Sequence, residues 1–408
     1  MSNRMTDMPE ALVREANALS WPSVRISFYY IAMFGTVGVF APFLPIWLKD
    51  RSLSAEEIGI VMSAIAWTRV MVNPLAAHVA DVTGRRRRLA LMTAAGACVG
   101  LGFVTQSYGF FAILAALIFT AACQGPVLPV GENLCLLTIR ARNLSYGRLR
   151  AWGSVAFIAV VTGAGYWLET APSDHVIYML IGGWLLILLS VAWLPDLRSP
   201  PRGKKERRFQ AAPAWALLRN KTFILLLAAA AANMSSHAVL NAFSSIHWIG
   251  AGISESSIGY LWSIGVLAEI ILFWMAAPIV AHLGPGWLMA LGAAGGVIRW
   301  VGLGWTTDFY ALLFFQTLHG LTFGAAHLGA MTYLQRHVPA ESSATGQALY
   351  SALGMGAALA LMQPIAGWLY AKNGGGAFYA MAILAAVGFL FAVLLAFRLR
   401  KIDQNSPT

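Results

Sequence analysis

The sequence predicts an all-α integral membrane protein with twelve transmembrane helices in two pseudo-symmetric halves of six. Composition is the first observation, because 58% hydrophobic and 11% charged residues, with a mean hydropathy of +0.66 over 408 residues, leave too little polar surface to cover a soluble globule. Internal repetition is the second. Residues 54–59 (SAEEIG) are echoed 200 positions later by residues 254–259 (SESSIG), and each segment opens a long apolar run. The two halves of the chain are therefore related.

Apolar runs long enough to cross about 30 Å of hydrocarbon divide the chain into twelve spans, numbered here in chain order. Their predicted limits are 23–48, 57–81, 88–106, 109–137, 147–168, 175–194, 222–248, 257–281, 287–305, 309–335, 343–370 and 376–397. A long polar stretch separates spans 6 and 7. We therefore predict an N-terminal six-helix bundle (1–196), a basic cytoplasmic linker (197–221) and a C-terminal six-helix bundle (222–408).

Basic residues lie mostly at one set of span ends. Of the 28 Lys and Arg, 23 fall on that side, whereas Lys49, Arg51 and Lys372 fall on the other, and Arg69 and Arg299 lie within spans. By the positive-inside rule, both termini are cytoplasmic in a bacterial-type inner membrane. The asymmetry accounts for the net charge of +11 without nucleic acid and favours anionic lipid as a partner. The first 22 residues show no apolar core with a cleavage site, so no removable signal peptide is expected.

Charged residues within the spans are candidates for function, because a charge at a helix centre costs about 2.5 to 3.5 kcal/mol and normally faces a cavity or a partner. Arg69 and Glu269 each lie ten residues after the repeated glycine, at a depth of about 15 Å. The other two charged residues within the spans are Glu132 and Arg299. Purely structural pairing of the four charges is one interpretation. In the other, unequal pairing leaves a guanidinium able to grip an anion bidentately, as expected of a secondary transporter.

Polar residues also follow one face of span 7, where Asn233, His237 and Asn241 recur every four positions. They are interpreted either as groups lining a cavity, with His237 the best candidate, or as hydrogen bonds between helices. Span 10 carries His319 and His327, and histidine is the side chain most easily poised to exchange a proton near neutrality.

The loop between spans 2 and 3 carries a motif. Residues 77–88 read AHVADVTGRRRR, which resembles the signature loop of the major facilitator superfamily, G-x-x-x-D-R-x-G-R-R. Asp81, Gly84 and Arg85 match it, while Ala77 and Val82 depart from it. The resemblance implies a gating role for the three matching residues, since an Asp at a helix end can bond a helix N-terminus and an Arg. A plain positive-inside anchor is the alternative.

Within that superfamily, the chain resembles the lactose permease and phenylpropionic acid transporter group. Residues 146–154 (YGRLRAWGS) resemble the Y-G-R-x-R-x-W-G-S run of the phenylpropionate transporters. Glu132 precedes Arg150 by 18 residues, as the sugar-binding pair does in lactose permease. Arg150 is alternatively a snorkelling residue at the membrane interface.

The C-terminal half resembles the same group. Arg299 precedes His319 by 20 residues, a spacing similar to that of the proton-handling Arg and His of the permease. Position 322 is Thr, where the permease pattern places an acid one turn after the His. We therefore predict Glu269 of span 8 as the proton carrier.

These observations predict a major facilitator fold that works by alternating access. The expected function is proton-coupled symport of a small aromatic carboxylate (3-phenylpropionate-like), because aromatic residues and intramembrane Arg suit such a substrate better than a sugar. A sugar or nucleoside proton symporter and a proton-driven efflux antiporter are the alternatives. The predicted substrate-binding residues are Arg69, Glu132, Arg150, His237, Asn241 and Arg299. The predicted proton-coupling residues are Glu269, His319 and Arg299.

Other classes of function are not expected. An intramembrane enzyme would need a His-Glu-x-x-His zinc motif or a Ser/His dyad, and neither is apparent in the sequence. Cys98, Cys123 and Cys135 all fall within spans, without the spacing of a metal site or a disulfide. We therefore expect no cofactor and no metal, and a protein that acts as a monomer on a small molecule and protons.

Overall fold

The computed structural model describes residues 20–196 and 211–405, and these residues are almost entirely helical. Eleven helical segments among them are long and apolar enough to cross a membrane. The last of these, Ala340–Ile402, has 63 residues and would be about 95 Å long as one helix, far more than the bilayer requires. A tight turn at Gly374–Gly376 divides it into two crossings. The described residues therefore contain twelve spans, which confirms the predicted number.

The observed helices follow the predicted spans closely. Spans 1 to 6 comprise Pro22–Asp50, Ala55–Thr83, Arg86–Thr105, Phe110–Gln124 with Val127–Ala141, Tyr146–Leu168 and His175–Trp193. Spans 7 to 9 comprise Lys221–Ser235 with Ala238–Gly250, Glu255–Trp274, and Ala276–Trp305. Spans 10 to 12 comprise Phe309–Thr317 with Gly320–Ala325 and Ala326–His337, Ser343–Leu349 with Tyr350–Ala357 and Ala358–Asn373, and Ala377–Asn405.

Span 8 ends earlier than predicted, at Trp274. The helix that starts at Ala276 runs on into span 9 through a kink at Gly284, whose φ of 69° lies in the left-handed region that glycine adopts without strain. Pro285 follows this kink, and it lacks the N–H that a continuous helix would need.

Spans 4 and 7 each consist of two helices rather than one. The break in span 4 falls at Gly125 and Pro126, and the break in span 7 falls at Ser236 and His237. Hydropathy measures the length of an apolar run and not its continuity, so the sequence predicted neither break. Interrupted helices at membrane depth are tolerated only where the backbone is buried in protein or lines a cavity, which makes these breaks candidate sites.

Spans 10 and 11 each contain a stretch of π-helix, at Gly320–Ala325 and Tyr350–Ala357. Bonds in a π-helix join residues five apart, so the extra residue in the turn changes which side chains share a face. Such bulges occur frequently at functional sites.

The described residues divide into two compact units. The first takes its described residues from Met1–Arg51 and Thr68–Arg208, and the second from Ser52–Trp67 and Phe209–Thr408. In the first unit, span 1 packs against spans 5 and 6, and span 3 packs against spans 4 and 6. In the second, span 9 packs against spans 10 and 12, span 7 against spans 11 and 12, and span 8 against the π-helix of span 10.

Most of the predicted linker, like the first 19 residues on which the signal-peptide prediction rests, lies outside the described residues. Its last part forms a short helix that the sequence did not predict, Ala211–Arg219. Asn220 then caps span 7, because its side-chain oxygen accepts hydrogen bonds from the backbone N–H groups of Thr222 at 2.9 Å and Phe223 at 3.3 Å.

Candidate functional site

Arg299 of span 9 lies at the centre of a buried polar cluster in the second unit, with only 1% of its surface exposed. Its Nη1 donates hydrogen bonds to Thr322 Oγ1 at 2.8 Å and to His319 Nδ1 at 3.2 Å. Its Nη2 donates to Gln316 Oε1 at 2.6 Å. Three groups of span 10 therefore hold one buried positive charge, which reduces the desolvation cost of placing that charge inside the membrane.

Glu269 of span 8 reaches the same cluster through His319. The distance from Glu269 Oε2 to His319 Nε2 is 3.6 Å, and the other ring nitrogen faces Arg299. Because Arg299 can only donate, Nδ1 of His319 must be the accepting nitrogen, so the neutral ring carries its proton on Nε2, toward the carboxylate. A second proton on Nδ1 would require the bond to Arg299 to break. The protonation of His319 is thereby linked to the position of Arg299.

His237 lies at the break in span 7 and contacts the cluster at Thr322. Its Nδ1 is 2.9 Å from the carbonyl of Asn233, so this nitrogen is the donor. Its Nε2 is 3.3 Å from Thr322 Oγ1 and accepts the hydroxyl proton. The ring also meets Trp300 edge to face at 5.0 Å. A continuous path of hydrogen bonds thus runs from Arg299 through Thr322 to His237.

Arg69 of span 2 lies in the first unit, beside the break in span 4. Its guanidinium stacks over the ring of Phe40 at 5.0 Å, and its Nη2 donates to Gln124 Oε1 at 3.3 Å. Among the described residues, no ion pair includes Arg69. Unlike Arg299, the residue is only half-buried. Arg69 and Phe40 therefore place a positive charge and an aromatic ring next to each other.

Glu132 and Arg150 both contact Tyr30 of span 1. The hydroxyl of Tyr146 donates to Glu132 Oε1 at 2.6 Å, and that of Tyr30 does so at 3.4 Å. The Arg150 guanidinium lies over Phe34 at 4.1 Å and over Tyr30 at 5.6 Å. Tyr30 is therefore a common neighbour of Glu132 and Arg150.

The loop motif forms an ion pair at the end of span 2. Asp81 Oδ1 lies 2.9 Å from Arg86 Nη2, in the first turn of span 3. Gly84 is buried and has a φ of 65°, a left-handed conformation that favours glycine. Arg85 is exposed and precedes the helix of span 3. The carboxylate thus contacts the basic run through Arg86.

Asn241 is half-buried one turn after His237, in the second helix of span 7. Sequence reasoning did not assign a role to Thr322 and Trp300, although both lie at the centre of the cluster. Thr322 follows His319 by three positions, a spacing that indicates a shared helical face. Within the described ranges, no group of three or more His, Cys, Asp or Glu side chains is arranged to hold a metal ion.

Comparisons with known proteins agree with this architecture. The model of the MFS_1 like family matches residues 23–381. A probable 3-phenylpropionic acid transporter of Escherichia coli (strain K12) is 31% identical over 360 residues, which cover 87% of this chain and 93% of that protein. The maltose permease of Geobacillus stearothermophilus is 28% identical over 392 residues, covering 92% and 95%. Among solved structures, the nucleoside transporter NupG superposes with a TM-score of 0.75 at 14% identity, covering 95% of this chain and 100% of that one.

Proposed function

The chain belongs to the MFS_1 like family and is a membrane transporter with the twelve-helix major facilitator fold; from this premise we propose that it carries a small aromatic carboxylate, similar to 3-phenylpropionate, together with protons. Its relatives are transporters and not enzymes. We propose transport by alternating access, in which the same groups meet solvent on each side of the membrane in turn.

The contact between Glu269 and His319 carries the proposal of proton coupling. A carboxylate and an imidazole 3.6 Å apart, deep in the membrane, can share and release a proton. Arg299 donates a hydrogen bond to the other ring nitrogen of His319. Its guanidinium also donates hydrogen bonds to Thr322 and Gln316. We therefore propose that Arg299 positions the proton carrier and contacts the substrate less directly than the sequence suggested.

Arg69 supports the choice of an aromatic anion. A half-buried guanidinium without a carboxylate partner can gain from an anion that the substrate supplies, and Arg binds carboxylates bidentately. Phe40 beside it offers a ring against which an aromatic substrate can pack. The name of the Escherichia coli relative points to the same substrate class.

Sugar transport is the second candidate, favoured by the maltose permease relative and by the group around Glu132. A carboxylate flanked by two tyrosine hydroxyls resembles a site that bonds sugar hydroxyls. In either case we place both termini in the cytoplasm, the protein in a bacterial-type inner membrane, and the boundary between its bundles in the 197–221 linker.

Substrate-induced proton movement tests the proposal. Purified protein in proteoliposomes in a lightly buffered medium should alkalinise that medium when 3-phenylpropionate is added, and should not do so with maltose or uridine. Alkalinisation with maltose alone would favour the sugar transporter. Full accumulation of 3-phenylpropionate in the presence of an uncoupler would exclude proton coupling.

A further inference from the structure

Span 10 carries a stack of three rings that continues beyond the cluster around Arg299. His319 and Phe323 stack at 5.6 Å with an angle of 8° between their planes, and Phe323 and His327 stack at 5.7 Å with an angle of 4°. His327 follows His319 by eight residues, or roughly 12 Å along the helix. Under the orientation that the basic residues predict, this direction leads toward the cytoplasm.

Glu269 lies alongside the part of span 10 between the two histidines. Gly324 falls between His319 and His327 in the chain, and a Cβ at Gly324 would lie 3.6 Å from Glu269 Cγ. The carboxylate contacts His319 on one side of Gly324, and His327 follows Gly324 by three residues in the same span. Span 8 packs closely against span 10 here, because a Cβ at Gly324 would also lie 3.3 Å from Leu272 Cδ2. Gly324 belongs to the π-helix Gly320–Ala325, and such bulges occur frequently at functional sites.

His327 is hydrogen-bonded at its far side. Its Nδ1 is 3.1 Å from the hydroxyl of Tyr350, which opens the π-helix of span 11 and is 2% exposed. His327, Tyr350 and Asn233 line one small cavity of about 10 Å³, room for about one water molecule. Among the described residues, Asn233 Oδ1 is a buried oxygen without a hydrogen-bond partner. A buried amide oxygen on the wall of such a cavity is suited to hold water there.

We propose that His327 relays the proton from Glu269 toward the cytoplasm, with Tyr350 holding its ring. This inference rests on the proposed proton coupling and adds the path of release to it. Glu269 gives up its carboxyl proton and becomes a carboxylate, while His327 takes that proton and becomes an imidazolium. His327 then loses a proton to water from the cytoplasmic side and keeps the electron pair on nitrogen. In the state that binds the proton, Glu269 contacts His319, which also faces Arg299.

The groups that face His327 allow this sequence. Glu269 of span 8, packed beside Gly324, supplies a negative charge, Tyr350 of span 11 a neutral hydroxyl, and Asn233 of span 7 an amide. The positively charged guanidinium of Arg299 is hydrogen-bonded to His319. The ring of Phe323 lies between His319 and His327. His237, the remaining histidine of the cluster, is engaged by Thr322 and Asn233.

The test compares two transport modes of 3-phenylpropionate in proteoliposomes. Counterflow at equal pH exchanges loaded substrate and needs no net release of protons, whereas net uptake releases one proton on the cytoplasmic side with each cycle. His327→Gln should keep counterflow within about twofold of wild type while net uptake falls about tenfold or more, as expected on removing a positioned proton-transfer group. His282→Gln, which alters an exposed histidine in the same half, should change neither mode.

Tyr350→Phe removes one hydroxyl and keeps the packing, so it should show the same split with a smaller loss, and it carries the test if His327→Gln does not fold. Equal loss of both modes in the two variants would mean that His327 is a structural residue. Unchanged net uptake would overturn the relay and leave proton coupling intact. Wild-type protein that moves substrate without protons would overturn both proposals.

Discussion

Thr322 Oγ1 accepts a hydrogen bond of 2.8 Å from Arg299 Nη1 and faces His237 Nε2 at 3.3 Å. One buried hydroxyl therefore joins spans 7, 9 and 10. Because Arg299 can only donate, the hydroxyl proton points to His237, and each member of the chain has one defined role. The network leaves the Nε of Arg299 as a buried donor without a hydrogen-bond partner among the described residues.

Thr322→Val should destabilise the second unit. Valine keeps the shape of threonine but leaves a donor of Arg299 and a ring nitrogen of His237 without this partner, and loss of a hydrogen bond to a charged group costs about 1.5 to 3 kcal/mol. The apparent melting temperature of detergent-solubilised protein should fall by several degrees. Thr332→Val is the matched control, since that hydroxyl bonds the carbonyl of Leu328 in its own helix. Equal melting temperatures for the two variants would contradict the role assigned to Thr322.

Glu269→Gln should abolish accumulation of 3-phenylpropionate against its gradient and preserve exchange. Glutamine keeps hydrogen bonding toward His319 but cannot titrate, so binding survives while the coupling ion is lost. Accumulation driven by an imposed pH gradient, measured beside counterflow, separates the two properties. The exposed carboxylate of Glu341 provides the control variant, Glu341→Gln. Normal accumulation in the Glu269 variant would place the proton carrier elsewhere.

Arg69→Lys should weaken binding of the carboxylate by about tenfold, or 1.4 kcal/mol. Lysine keeps the charge but loses both the planar fork and the stacking over Phe40. Equilibrium binding of 3-phenylpropionate checks the affinity, with Arg140→Lys, at an exposed arginine of span 4, as the control. Arg299→Lys should instead reduce proton-driven accumulation. Unchanged affinity in both the Arg69 and Arg299 variants would make Arg150 the next candidate for the anion site.

Asp81→Asn should shift the protein toward the state open to the cytoplasm. The substitution removes the charge that pairs with Arg86, and a change of about 1.4 kcal/mol alters the ratio of two states tenfold. Introduced cysteines on the cytoplasmic side should then label faster and those on the opposite side more slowly. Arg86→Gln should reproduce the shift. Unchanged labelling in both variants would reduce the motif to a topological anchor.

Much of the fold was predictable because membrane insertion depends on local composition. An apolar run of about 20 residues must be helical to satisfy its backbone in lipid, so twelve runs predicted twelve spans. The end of span 8 and the start of span 9 were placed too late, because the helix break falls at Met275. The duplicated 54–59 and 254–259 segments indicated two halves, and the loop at residues 77–88 indicated the family. The breaks at Gly125–Pro126 and His237 were not predictable in this way, since hydropathy does not register an interruption within an apolar run.

The candidate site, like the fold, was predictable from the sequence only in part. Sequence by itself identified Arg299, His319 and Glu269, because a charge or an imidazole in an apolar run is costly enough to be conspicuous without any knowledge of its neighbours. Only the tertiary structure showed that Thr322 joins Arg299 to His237, that Arg299 is enclosed while Arg69 is half-buried, and that His327 bonds Tyr350. Those facts depend on which spans pack together and on the added residue in the π-helical turn of span 10. Hydrogen bonds between side chains far apart in the chain follow from packing, and no local pattern of residues encodes their partners.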